Sequence, residues 1–231
     1  GINADVWLIG ITFVEISAIS AAIEVLVSIL LIRAPGMSLD RMPIFAWYML
    51  VVAVMILVGF PPLILGSILL EAERAFGWAL FDPTRGGDSL LWQHLFWIFG
   101  HPEVYIIFLP AAGMVSTIIP VMAGRELLGY RWVVLAAISV GFLSFGLWVH
   151  HMFAVGIPHL ALGFFSAASM LVAIPTGVQI FAWLGTLMSG RPRFNVPMLF
   201  LCGFFFIFVL GGLTGVMVAV VPFDLQVHDT Y

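Results

Sequence analysis

Long apolar runs alternate with short polar breaks along the whole chain. A helix needs about 20 predominantly apolar residues to cross a bilayer. Six runs are long enough: residues 6–32, 44–70, 90–124, 132–156, 162–188 and 198–221. The pattern predicts an all-α fold, a polytopic transmembrane bundle of about six spanning helices in one domain covering residues 1–231.

The breaks between the runs contain residues that end helices. They lie at residues 33–36, 71–74, 125–126, 156–158 and 189–193, and most contain Arg, Gly or Pro. Pro61 and Pro62 predict a kink in the second helix. The third run is longer than a span requires, which favours either a tilted helix or a surface segment near Trp92.

The composition excludes an ordinary soluble domain. Hydrophobic residues make up 63% of the chain and charged residues 9%, against about 25% charged residues in soluble domains. The basic residues are eight arginines without a basic run, so a nucleic-acid partner is excluded. The single cysteine, Cys202, forms no intrachain disulfide. The chain begins at Gly1 rather than Met, so we expect a piece of a longer protein.

The arginines predict how the bundle crosses the membrane. Cytoplasmic loops are enriched in Arg and Lys, so the side with more arginines is predicted to face inward. The inner set is Arg33, Arg41, Arg125, Arg131, Arg191 and Arg193; the outer set is Arg74 and Arg85. Carboxylates collect on the outer side: Glu71, Glu73, Asp82, Asp88, Asp224 and Asp229.

Three ionisable side chains lie close together inside the third apolar run. His101, Glu103 and Tyr105 would each be costly at bilayer depth, so they are functional candidates. His101 and Tyr105 are four residues apart and share one face of a helix. Glu103 points largely to another side.

The fourth run carries two further imidazoles, His150 and His151. Counting 1.5 Å per residue, His101 lies about 16 Å and the pair about 9 Å from the outer ends of their helices. Three imidazoles in the outer half of the membrane on consecutive helices favour a transition-metal site over ordinary hydrogen-bonded core histidines. Adjacent residues of a regular helix diverge by about 100°, so both histidines reach one ion only if that helix is distorted.

Four segments resemble subunit I of the haem–copper terminal oxidases, the cytochrome c oxidase type. They are residues 92–105, 149–153, 173–177 and 227–231, in order and at nearly the family's spacing. The resemblance implies an internal piece, about the third to ninth helices, of a twelve-helix-type subunit from a divergent branch. The axial haem ligands would then lie outside this piece, which alone would be inactive.

The resemblance implies roles for the central residues. His101, His150 and His151 resemble the ligands of the copper ion, CuB, that faces the oxygen-reducing haem. Tyr105 resembles the tyrosine cross-linked to the first ligand, and Glu103 the acid that ends a proton pathway.

The resemblance also covers four residues around this centre. Trp97 resembles a tryptophan packed by the copper site, with an ordinary core aromatic as the alternative. Asp224 and His228 resemble residues near the haem propionates. His228 and Asp229 resemble ligands of a magnesium or manganese ion shared with subunit II, with a solvated helix end as the alternative.

Gln179 departs from the resembled pattern on the second proton pathway. A lysine is usual there, and glutamine carries no titrating proton at neutral pH. Thr176 and Ser116 resemble other members of that route. Either water and hydroxyl groups carry the proton, or the route is impaired, or another group replaces the lysine.

The first helix and the loop before the fifth also depart. Glu24 stands where asparagine is usual, and with Ser17 it is assigned to the other proton pathway. Glu15 has no counterpart in the resemblance. His159 is expected in a surface loop, and His94 in a hydrogen-bond network near the metal site.

The expected function is that of a respiratory oxidase that reduces O2 to water and translocates protons across the membrane. The implied partners are oxidase subunits II and III, membrane lipid, O2, and cytochrome c or quinol as electron donor. A bacterial inner membrane is favoured over a mitochondrial one. The alternatives are a nitric oxide reductase-like protein, a non-redox proton or ion transporter that uses Glu15, Glu24 and Glu103, and a degenerate structural subunit.

Overall fold

The computed structural model describes residues 1–230, and in that range it is a bundle of α-helices. Six segments are long and apolar enough to cross a membrane, so the predicted fold class is confirmed. The helices are α1 (Ile2–Leu31), α2 (Ile44–Phe76), α3 (Ser89–Ala123), α4 (Tyr130–Ser144), α5 (His159–Leu171), α6 (Ala173–Ser189), α7 (Val196–Val218) and α8 (Val221–Val227).

Helix α2 is longer than the apolar run that predicted it. It continues past Leu70 and ends at Phe76, where Gly77 adopts a left-handed conformation with φ 71°. The break at residues 71–74 is therefore not a helix end, because Glu, Ala and Arg are good helix formers. The charged residues from Glu71 onward end the apolar part of α2 that can lie in a membrane, whereas Gly77 ends the helix itself.

Helix α3 runs without interruption from Ser89 to Ala123. The side chain of Asp88 caps it by accepting a hydrogen bond from the backbone N–H of Leu90 at 2.8 Å. Trp92 lies in its first turns, within the helix. Asp82 caps the short 3₁₀ turn before α3, and hydrogen bonds from Thr84 lower the pKa of this carboxyl group.

The fourth and fifth spans are each divided. Helix α4 ends at Ser144, and the span continues after a short break as a 3₁₀ segment, Trp148–Val155. Helices α5 and α6 meet at Val172. The fifth span starts at His159 rather than at residue 162. Pro158 is the N-cap residue, and a proline disfavours helical angles in the residue before it, so the helix begins directly after the proline. His159 is therefore the exposed first residue of α5, and its assignment to a loop was wrong.

Helices α2, α3, α4 and α6 enclose the apolar core, and α7 contributes from one side. Small residues let these helices approach closely, as is common in membrane bundles. One such case is Gly141 on α4, where a Cβ atom would lie 2.5 Å from Cγ1 of Val51 and 3.3 Å from Sδ of Met55.

We expect Gly141→Ala to destabilise the bundle by about 1–3 kcal/mol, because the added methyl overlaps Val51 of α2. The measurement is the thermal unfolding midpoint of the purified protein in detergent. Gly163→Ala on α5 is the control, since no atom lies within 4 Å of its added Cβ. An equal midpoint for the two variants would contradict close contact between α2 and α4.

Candidate metal centre

Three imidazole rings converge inside the bundle. His101 comes from α3, and His150 and His151 come from the 3₁₀ segment that follows α4. One nitrogen from each ring lies within 4.8 Å of the other two. Nδ1 of His101 is 3.1 Å from Nε2 of His151. The ring centroids of His101 and His150 are 4.5 Å apart.

The break in the fourth span lets two adjacent histidines face one point. The backbone leaves the α-helix after Ser144, and Leu147 has non-helical dihedral angles, φ −137° and ψ 13°. A second departure follows the pair at Met152, with φ −126° and ψ 17°. The helix is therefore distorted, as the sequence argument required for a shared ion.

Neighbouring side chains hold two of the rings in place. Nδ1 of His150 is 2.8 Å from Oγ of Ser169, and Ser169 donates its own proton to the carbonyl oxygen of Phe165. Ser169 therefore accepts from Nδ1–H of His150, which leaves the lone pair of Nε2 free for a metal. Trp97 stacks on the ring of His151 with centroids 4.0 Å apart and an interplanar angle of 3°.

The donor set fits a copper ion. Imidazole nitrogens suit copper, and ligands at about 2.0–2.1 Å around a tetrahedral ion lie about 3.3 Å from one another. The 3.1 Å separation of His101 Nδ1 and His151 Nε2 matches that spacing. The three rings could therefore hold one ion and leave a coordination position open.

Tyr105 and Glu103 follow His101 on α3. The ring centroids of His101 and Tyr105 are 4.8 Å apart, as expected for residues one helical turn apart. Glu103 is half-buried, and its Oε2 atom has no hydrogen-bond partner in the described part of the chain. A phenol thus lies beside His101, whereas the carboxyl group of Glu103, two residues from each, lies on roughly the opposite face of the same helix.

Comparison with known proteins assigns the chain to a family. Residues 2–231 match the family described as Cytochrome C and Quinol oxidase polypeptide I. The chain belongs to this family. Over its full length it is 46% identical to Cytochrome c oxidase subunit 1 of Bacillus subtilis, covering 37% of that protein. It is 45% identical to Cytochrome c oxidase subunit 1 of Corynebacterium glutamicum, covering 39%.

The chain therefore spans about two fifths of the length of these curated relatives. A third relative, Putative cytochrome c oxidase subunit 1-beta of Streptomyces coelicolor, is 46% identical over the whole chain and covered to 40%. All three relatives are bacterial. The family resemblance and the multi-pass membrane fold are thus confirmed.

Gln179, the main departure of this oxidase-family chain, belongs to a buried polar cluster. Its Oε1 accepts a hydrogen bond from the hydroxyl of Tyr48 at 2.5 Å. Ser116 Oγ lies 3.4 Å from that hydroxyl and accepts from Nε1 of Trp183 at 2.8 Å. These four side chains are fully buried and come from α2, α3 and α6. Thr176, one turn from Gln179, donates to the carbonyl oxygen of Val172 at 2.9 Å.

Sequence reasoning missed Tyr48. In an apolar run a tyrosine predicts a core aromatic, and Gln179 lies 131 residues away in the sequence. A usable signal was the requirement that a buried glutamine find a hydrogen-bond partner. That requirement predicts a partner in the bundle without identifying which helix provides it.

The acids predicted on α1 have different surroundings. Glu15 is 2% exposed, and both of its carboxyl oxygens lack a hydrogen-bond partner within residues 1–230. Ser17 and Glu24 lie on the exposed face of α1 in this chain. Their assignment to a proton pathway stays a prediction.

The residues after α7 form a smaller polar group. Nδ1 of His228 lies 2.8 Å from Oδ2 of Asp224, which is buried at the end of the bundle. Asp229 is exposed, and its Oδ2 lies 3.9 Å from Nε2 of His228. Tyr231, the last residue of the resembling segment, lies outside the described residues.

His94 accepts a hydrogen bond from Nε1 of Trp148 at 3.2 Å, in the network expected near the metal centre.

Proposed function

We propose that this chain is part of the catalytic subunit of a respiratory terminal oxidase that reduces O2 to water and couples the reaction to proton translocation. The observation that carries the proposal is the convergence of His101, His150 and His151 beside Tyr105 within a membrane bundle. The names of its relatives, Cytochrome c oxidase subunit 1, support the same activity.

Each residue of the centre has a role in this proposal. The three histidines hold CuB, and Trp97 fixes the plane of His151. When bound, copper and haem supply the redox chemistry that oxygen reduction requires. The Tyr105 hydroxyl, one turn from His101, is placed to give up a proton and an electron near the ligands. Glu103, in an apolar helix, is suited to take up and release protons.

The remaining cofactors and partners follow from the family. The axial haem ligands are proposed to lie in the parts of oxidase subunit I that this chain does not include. Subunits II and III complete the complex, cytochrome c or quinol donates the electrons, and lipid surrounds the bundle. His228 and Asp229 are proposed to hold magnesium or manganese with subunit II, and Asp224 and His228 to lie near the haem. The complex is proposed to reside in a bacterial inner membrane.

The test is oxygen consumption by the purified complex, with reduced cytochrome c or quinol as donor and proton release recorded in vesicles. We expect oxygen uptake with at least one donor and copper in the complex. Nitric oxide consumption without oxygen uptake would assign the protein to the reductase alternative. Proton movement in a complex that lacks copper by elemental analysis would favour the transporter.

We further propose that Tyr48 completes the second proton route in place of the usual lysine. The hydrogen bonds of the cluster form a chain. Trp183 donates to Ser116, Ser116 donates to Tyr48, and Tyr48 donates to Gln179. Ser116 and Tyr105 are eleven residues apart on α3, or about three turns, so they share a face about 16 Å apart. Thr176, one turn from Gln179 on α6, is the proposed next member. Glu24 and Ser17 are proposed to serve the other route, which ends at Glu103.

Tyr48→Phe is expected to lower oxygen turnover at least about tenfold, because the variant loses the phenol that links Ser116 to Gln179. Turnover is measured with its solvent isotope effect, which rises when proton delivery becomes rate-limiting. Tyr130→Phe is the matched control, since its hydroxyl donates to the Met42 carbonyl outside the cluster. A lower unfolding temperature with unchanged turnover would limit Tyr48 to a structural role.

A further inference from the structure

A basic cavity lies where α3 and α6 end at the same membrane face. It measures about 830 Å³ and is bounded by the last turn of α3 and by the residues that follow α6. Three arginines line it, Arg125, Arg191 and Arg193, and no carboxylate is among its lining residues in the described chain. The cavity therefore concentrates positive charge at one point.

Backbone hydrogen bonds fix the two walls of the cavity against each other. The N–H of Arg191 donates to the carbonyl of Ala123 at 2.9 Å, and the N–H of Arg193 to that of Met122 at 3.2 Å. Gly190 packs so closely that a Cβ atom there would lie 2.4 Å from the Ala123 oxygen. The arginines are thus held around one cavity rather than spread over two independent loops.

No carboxylate within residues 1–230 forms an ion pair with these arginines. Arg125 uses Nε to donate to the carbonyl of Ser189 at 2.9 Å. At the opposite end of the bundle, Arg74 pairs with Asp5. The cavity therefore presents guanidinium groups that remain available to an anion, and guanidinium binds phosphate through paired hydrogen bonds.

The other wall of the cavity is apolar. Val121 lies in the last turn of α3 with 70% of its surface exposed, and Met122 follows it. In a membrane this wall lies where the end of a spanning helix meets the headgroup region, with arginines toward the water and Val121 toward the hydrocarbon. An amphiphile with an anionic head and an apolar tail matches both walls, whereas a free anion matches only one.

We propose that this cavity binds the phosphate headgroup of an anionic glycerophospholipid, with an acyl chain along Val121. Basic pockets between helices on the cytoplasmic side of membrane proteins are suited to such headgroups. Arg191 and Arg193 contact the phosphate, and Arg125 joins them while it caps the end of α6 at Ser189.

The experiment uses the delipidated complex in neutral detergent, titrated with phosphatidylglycerol or phosphatidylcholine and observed by native mass spectrometry. Wild type is expected to bind one more phosphatidylglycerol than the Arg191→Gln/Arg193→Gln double variant, whose affinity at this site falls about tenfold or more. Phosphatidylcholine is expected to bind both proteins equally. If the double variant does not assemble, Arg193→Gln alone is measured, with a smaller loss in the same direction.

The matched control is Arg41→Gln/Arg131→Gln, which removes two arginines that are predicted to face the same side of the membrane and do not line the cavity. We expect it to keep the wild-type phosphatidylglycerol count. If the control lost as much phosphatidylglycerol as the double variant, binding would reflect general surface charge, and a specific site would be excluded. Equal binding of the two lipids would overturn the headgroup assignment. Complete displacement of phosphatidylglycerol by millimolar inorganic phosphate would make a free anion the ligand and overturn the lipid assignment.

Discussion

His150→Asn in the assembled oxidase is expected to remove most of the copper and to lower oxygen turnover more than about a hundredfold. His150 contributes one of three imidazoles whose nitrogens lie within 4.8 Å of one another, so two rings remain for the ion. Loss of a group that only supports a ligand already costs 10- to 100-fold in affinity or activity, and loss of the ligand itself costs more. Copper per complex, measured by elemental analysis, and oxygen uptake report the two effects.

Two further variants separate ligation from general damage. Ser169→Ala removes the hydrogen-bond acceptor of His150 Nδ1 but keeps the imidazole, so copper affinity is expected to fall about 10- to 100-fold with partial turnover. His159→Asn replaces an exposed histidine outside the cluster and is expected to leave copper unchanged. Wild-type copper content in His150→Asn would exclude His150 as a ligand.

The sequence was sufficient to predict the spans because bilayer thickness imposes a length on every apolar run. The depth of His101 and of the pair His150 and His151 follows from the same counting, so their meeting was predictable. Their orientation was not, because a regular helix separates adjacent side chains by about 100°. The 3₁₀ segment Trp148–Val155 and the turn at Met152 depend on packing against other helices.

The helix ends show where hydropathy and helix formation differ. Hydropathy ends the second span at Leu70 because Glu71 follows, yet the backbone continues to Phe76, because charged residues remain good helix formers in water. His159 was misplaced for the converse reason. Hydropathy starts the fifth span at residue 162, but the helix begins at His159, directly after the N-cap residue Pro158.

Contacts between distant parts of the chain were beyond sequence reasoning. From the sequence, Tyr48 is interpreted as a core aromatic. In the structure, α6 places Gln179 within hydrogen-bond distance of its hydroxyl. From the sequence, Arg125 and Arg191 are interpreted as charges in two separate loops. In the structure, the backbone N–H of Arg191 donates to the carbonyl of Ala123, which brings the two loops together. In both cases the sequence identifies the polar residues, but the tertiary structure is needed to show that they lie in one site.

Tyr105→Phe is expected to retain copper while oxygen turnover falls more than about a hundredfold. The substitution keeps the aromatic ring whose centroid lies 4.8 Å from that of His101, so the ligand geometry is preserved. It removes only the hydroxyl that is proposed to give a proton and an electron, and a positioned proton donor typically contributes 10²- to 10⁴-fold. Copper content and oxygen uptake are measured on the same preparation.

The comparison with His150→Asn makes this prediction specific to the phenol. Loss of turnover together with copper would mean that Tyr105 supports the ligands through packing, as Trp97 does for His151. Loss of turnover with copper retained assigns the hydroxyl to the reaction. Full turnover in Tyr105→Phe would exclude the tyrosine as a donor of the proton and the electron.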